Sequence, residues 1–125
     1  MDITPRIAAG RQLVTAYGNG GFRINNRAFQ GSVLVFPDQT FEWPVASMED
    51  LTAESLRKVA DADPPVEVLL IGCGASLAFI RPEIREPLRE SGVVIDGMDT
   101  GAACRTYNVL LSEERRVAAA LIAID

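Results

Sequence analysis

The sequence predicts a single α/β domain with a mixed sheet, on three observations. Residues 13–45 alternate in the manner of strands and are punctuated by turn residues. From residue 47 onward the rhythm changes to helices alternating with strands, the pattern of βαβ units. The link Ser112–Arg116 is short, so the last strand is expected to return antiparallel to the strand before the preceding helix, or close beside it.

Residues 1–12 carry no clear period and contain Pro5 and Gly10, which reads as a flexible N-terminal arm ahead of a domain spanning 13–125. Leu13–Tyr17 is a first strand and Gly18-Asn19-Gly20-Gly21 a turn. Phe22-Arg23-Ile24 alternates into Asn25-Asn26, residues that tolerate the positive φ of a tight hairpin. Gly31–Phe36 is continuous enough to be buried on both faces, and after Pro37-Asp38-Gln39 the run Thr40–Trp43 alternates again. The single tryptophan, Trp43, is expected in the core or at its rim.

Ser47 or Thr52 can cap a helix reaching Ala60, with Leu51, Leu56 and Val59 on one face. Asp61–Pro65 ends it. Val66–Ile71 is a buried strand closed by Gly72-Cys73-Gly74, and Ser76–Arg81 a short extended piece. Pro82–Glu90 is a helix stopped by Gly92, in which Pro87 predicts a kink or two short turns. The strand Val93–Met98, the helix Thr100–Glu113 and the strand Val117–Ile122 complete the chain.

Composition excludes more than it assigns. A net charge of −5 disfavours a nucleic-acid partner. The sequence has no histidine, which removes Ser-His-Asp and Cys-His chemistry and the commonest transition-metal ligand. Two separated cysteines cannot make a structural zinc site, so neither a metal nor a cofactor is expected. Few cysteines and the lack of a signal-peptide pattern point to a cytoplasmic protein. No apolar run approaches the ~20 residues of a membrane span.

Two junctions draw attention as ligand or partner sites. Gly72-Cys73-Gly74 follows a buried strand as a phosphate turn would, but Leu77 fills the place of the third glycine in a dinucleotide fingerprint. On a helical projection Ala102, Ala103, Thr106, Tyr107, Leu110 and Leu111 form the core face of the last helix. Thr100, Cys104 and Asn108 form a stripe on its edge, beside Arg105. A helix N-terminus and a neighbouring arginine both favour a thiolate, which makes Cys104 the best nucleophile candidate; half-burial against the sheet is its bland alternative. If the two preceding strands are parallel neighbours, Cys73 and Cys104 share a crevice with Arg105 and Asn108. No catalytic residue is assigned.

Read together, Tyr17-Gly18, Gly20-Gly21-Phe22, Gly31–Val35, Trp43, Ile71–Gly74, Met98-Asp99-Thr100, Ala102–Asn108 and Arg115–Leu121 resemble one family. It is the small single-domain family of the mitochondrial respiratory complex I assembly factor 3 and its uncharacterised bacterial and archaeal relatives. The resemblance runs from about Ala16 to Ile122, and Ala-Cys-Arg-Thr-Tyr-Asn is its most specific part. It implies a three-layer α/β fold, with helices and a packed β-hairpin on a mixed central sheet and one strand opposing the others. It also implies protein partners, respiratory-complex subunits among them, and a non-catalytic assembly role. Gly72-Cys73-Gly74 stands where the family commonly has Gly-Thr-Gly, which argues against a required hydroxyl there. The alternative reading is a small-ligand-binding or thiol-dependent protein using the crevice around Cys73 and Cys104.

Overall fold

In the computed structural model, residues 10–125 are described; the arm's residues 1–9 lie outside them. Gln12, at the end of that arm, is held in place. Its backbone N–H donates to Pro37 O at 3.0 Å and its Oε1 accepts from Thr40 Oγ1 at 2.6 Å.

Three strands, β1 (Val14–Gly18), β2 (Gly21–Ile24) and β3 (Arg27–Gln30), form an antiparallel meander. Asn25 and Asn26 adopt φ of +49° and +64°, the two positive values that their hairpin requires. The second sheet joins β4 (Val33–Phe36), β5 (Gln39–Glu42), β6 (Val68–Gly72), β7 (Val94–Met98) and β8 (Val117–Leu121) in the order β5-β4-β8-β6-β7. The helices are a single turn α1 (Arg57–Ala60), α2 (Pro82–Glu90) and α3 (Thr100–Ser112).

Each sheet face has its own core. Leu34, Phe36, Leu69, Ile71, Ala118 and Ala120 point to one face, covered by α2 and by Leu51, Leu56 and Val59. Val33, Val35, Leu70, Val117, Ala119 and Leu121 point to the other, covered by α3 and the meander. Strict alternation along β4 and β8 produces this division, because successive strand residues face opposite sides. The run of alanines in β8 places small side chains on both faces at the centre of the sheet. This is the expected three-layer fold, with the hairpin extended to three strands.

Three local expectations need correction. The last strand is antiparallel to β4, but it runs parallel to β6, as β7 does, and β6 separates it from β7. A helix already reverses the chain, so a short link after it returns the next strand to the direction of the strand before the helix. The helix expected up to Ala60 is two 3₁₀ turns, Met48–Asp50 and Glu54–Leu56, followed by α1. Thr52 does cap: its Oγ1 accepts from Ser55 N–H at 3.1 Å, while Ser55 Oγ accepts from Thr52 N–H at 3.2 Å. Residues 77–81 form no regular element, and Arg81 at their end has an extended backbone. Finally, α2 runs through Pro87; Pro87 and Glu83 are both exposed, which puts the carbonyl freed by the missing N–H on the solvated side.

Candidate functional site

The two junctions do meet, because β6 and β7 are parallel neighbours in register Gly72↔Met98. Their connections leave to opposite faces, α2 to one and α3 to the other, which makes the carboxyl end of this pair a topological switch point. In many α/β proteins such a point opens into a crevice. Here backbone and side chains close it. Cys73 N–H donates to Met98 O at 2.8 Å and Thr100 N–H to Gly74 O at 2.9 Å. Thr100 Oγ1, fully buried, accepts from Gly74 N–H at 3.0 Å and donates to Ile122 O at 2.7 Å. One hydroxyl thereby ties the ends of β6, β8 and α3 together.

The glycines serve the same closure. A Cβ on Gly72 would stand 3.0 Å from Thr100 Cα, a backbone contact that cannot give way cheaply. Gly74 adopts φ +105°, which L side chains rarely take. Asp99 caps α3, its carboxylate accepting from Ala102 N–H at 2.8 Å. The positive end of the helix dipole is therefore already met by an anion.

Cys73 and Cys104 are not brought together. Cys73 belongs to the core on the α2 face and Cys104 to the core on the α3 face, with the sheet between them. The Cys73 thiol lies 3.8 Å from Ala78 O and 3.7 Å from Ile71 O. The buried face of α3 is Thr100, Ala103, Cys104, Tyr107 and Leu111, so Cys104 sits within it instead of on its edge. Burial pushes the Cys104 thiol up to about 12; Arg105 acts against this and Asp99 adds to it. Desolvation outweighs the nearby guanidinium, and the thiolate argument fails for this residue.

Asn108 is a clamp. Its Nδ2 donates to Val14 O at 2.7 Å and its Oδ1 accepts from Val14 N–H at 3.0 Å, fastening the meander to α3. Beside it, the Tyr107 hydroxyl is buried without a hydrogen-bond partner among the described residues. Of the seven sequence candidates only Arg105 faces solvent. Its Nη1 donates to Tyr17 Oη at 3.0 Å, and Tyr17 lies over Gly101, where a Cβ would come within 2.7 Å of that oxygen.

Sequence reasoning missed the loop leaving β6. Leu77 is 67% exposed and Phe79 79%, yet the loop between them and α2 is firmly anchored. Ile80 is buried against Gly97, and Arg85 Nε donates to Ile80 O at 3.2 Å. Arg81 Nη2 donates to Leu51 O at 2.8 Å. The signal available was the apolar run Leu77–Ile80, which matches neither the helix nor the strand period. Also missed was a cleft of about 860 Å³ at the other end of the sheet, alongside β5, with Phe36, Phe41 and Trp43 in its lining. Among the described residues no group of three or more metal-ligating side chains is present, and no helix is long and apolar enough to cross a membrane.

Known proteins are similar to this chain in sequence, and solved structures are similar to it in fold. NADH dehydrogenase [ubiquinone] 1 alpha subcomplex assembly factor 3 of Danio rerio is 35% identical over 98% of this chain and 70% of its own length. The protein of the same name in Xenopus tropicalis is 36% identical, and the chain spans only 64% of it. An uncharacterised Rhodobacter capsulatus protein is 39% identical over 91% of this chain and 86% of its own. Among solved structures, a Bordetella pertussis protein described as an Mth938-like domain superposes with a TM-score of 0.84 at 32% identity. It covers 98% of this chain and 92% of its own. A Bartonella henselae protein described as an outer membrane protein gives 0.83 at 39% identity, covering 94% and 98%. Residues 14–122 match the family described as protein of unknown function DUF498/DUF598, and the chain belongs to that family.

Proposed function

We propose that this protein is a cytoplasmic, non-catalytic interaction module that assists assembly of respiratory complex I or another membrane complex. The observation that carries this reading is its 35% identity, over nearly the whole chain, to a relative named as a complex I assembly factor. The geometry supports a contact role over a chemical one. Thr100, Asn108, Gly72 and Gly74 spend their polar groups or their missing side chains on internal closure, and Cys104 is buried and protonated. What remains at the carboxyl end of the sheet is exposed: Leu77, Phe79, Tyr17 and Arg105. Large apolar side chains on an anchored loop lose little entropy on docking, the property of interface hot spots.

Affinity purification from solubilised membranes tests the reading. The parent protein is expected to recover respiratory-complex subunits. The double variant Leu77→Ser/Phe79→Ser and the single variant Arg105→Ala are expected to recover about tenfold less, the loss of a modest hot spot. Thermal stability should hold for both, since the altered side chains are exposed. Recovery of no such subunits by the parent protein, or equal recovery by the variants, overturns it.

A further inference from the structure

The two edge strands of the five-stranded sheet are treated differently. On β7, Val94 N–H donates to Glu67 O and Met98 O accepts from Cys73 N–H, so Val94, Asp96 and Met98 face β6 and Ile95 faces outward. That outward carbonyl is taken: Arg85 Nη1 donates to Ile95 O at 2.9 Å. Exposed Asp96 adds a charge to the same strand. Edge charges discourage strand addition, but exposed Glu42 gives β5 one as well; the capped carbonyl is what sets β7 apart.

On β5 the outward groups have no such cap among the described residues. Trp43 N–H donates to Ser32 O at 2.9 Å, and Phe41 pairs with Leu34. Residues of that parity face β4, so Thr40 and Glu42 turn their N–H and C=O groups away from the sheet. The 860 Å³ cleft opens alongside this edge. Phe41 stands in it, packed edge-on against Phe36 with ring centroids 5.8 Å apart, and the Lys58 ammonium lies 4.5 Å from the Phe41 ring. Two cations of the lining, Arg57 and Arg116, are already paired with Glu54 and Glu67. The five carboxylates of Asp38, Glu42, Asp61, Asp63 and Glu114 then outnumber the three further cations Arg11, Lys58 and Arg115.

We propose that β5 and its cleft receive an extended, basic peptide segment of a partner protein, added as a sixth strand. The Thr40 and Glu42 main chain supplies the ladder hydrogen bonds, while apolar side chains of one parity enter the cleft over Phe41. Lysines or arginines flanking them meet the excess of carboxylates at the rim. This surface lies at the opposite end of the sheet from Leu77 and Phe79, so it stands or falls apart from the assembly reading.

The test is selection of a random linear peptide library on the intact chain, followed by amide exchange with a synthetic copy of the selected peptide. Enriched peptides are expected to mix Lys or Arg with apolar residues at alternate positions, and to slow exchange at Thr40 and Glu42. Glu42→Pro should lower affinity about tenfold, the loss of one ladder hydrogen bond, because it deletes an outward N–H that no internal bond uses. Asp61→Lys/Asp63→Lys should weaken binding as well, and this exposed pair decides the matter if Glu42→Pro does not fold. No enrichment, neutral or acidic peptides, or protection at the Leu77–Phe79 loop overturns the proposal. So does a dimer in analytical ultracentrifugation that Glu42→Pro abolishes, which would assign the edge to a second copy of the chain.

Discussion

At the carboxyl end of β6 and β7, every polar group of the junction described above is matched within the molecule: Thr100 serves Gly74 and Ile122, Asp99 serves Ala102, and Cys73 N–H serves Met98. At the amino end, beside β5, Phe41 is only partly covered, next to buried Phe36 and Trp43, and the rim charges are only partly paired. The end where α/β proteins usually bind ligands is here the one that holds layers together, and the cleft lies elsewhere. Loss of a side chain buried in the closed junction should therefore be felt as instability, and loss of one that lines the cleft as altered binding.

The largest effect is expected from Thr100→Val, which keeps the shape and leaves a buried N–H and a buried C=O unpaired. It should cost about 3 kcal/mol in denaturant unfolding. A change under 0.5 kcal/mol would mean that the junction is looser than its hydrogen bonds imply. An intermediate effect is expected in alkali from Cys104. Burial holds it at about 12, above the ordinary thiol value of 9.0, so the native state keeps a proton that the unfolded chain releases. The raised value leaves stability intact below pH 9 and removes it as pH rises toward 12, at up to about 1.4 kcal/mol per pH unit from this thiol. Cys104→Ala should flatten that slope when urea unfolding is followed between pH 8.5 and 10.5, a range chosen to bracket the onset at about 9. An unchanged slope would locate the alkaline loss in other groups. The smallest effect belongs to the open end: Lys58→Met removes an exposed cation–π contact and should cost no more than about 0.5 kcal/mol. A larger loss would show that the cleft wall is part of the core.

Much of the architecture was legible because local chemistry specifies it. Asn25-Asn26 announced a hairpin, Val66–Ile71 a buried strand, and Pro82 with Gly92 the limits of α2, each for reasons contained within a few residues. Pairing order was not legible, since nothing local tells β8 to lie between β4 and β6. The site was read at the correct junction but with the wrong meaning. The projection of α3 placed Cys104 on an edge, and only the packing of β1, β2 and the sheet around the helix shows that it is enclosed. Arg105 was found without its partner, because Tyr17 lies 88 residues away in sequence. Leu77 and Phe79 went unremarked because exposure of an apolar residue is a tertiary property.

By itself the sequence determined the succession of strands, turns and helices, the exclusion of histidine-dependent chemistry, and the membership that Ala103–Asn108 most clearly signals. These follow from residue type, short-range periodicity and short motifs. Tertiary structure decided that the two cysteines lie on opposite faces, that the glycine junction is shut, and that Arg85 caps one sheet edge while the other stays open among the described residues. Those outcomes depend on hydrogen bonds and burial between segments distant in the chain, and a free carbonyl or thiol acquires its chemistry only from what packs against it.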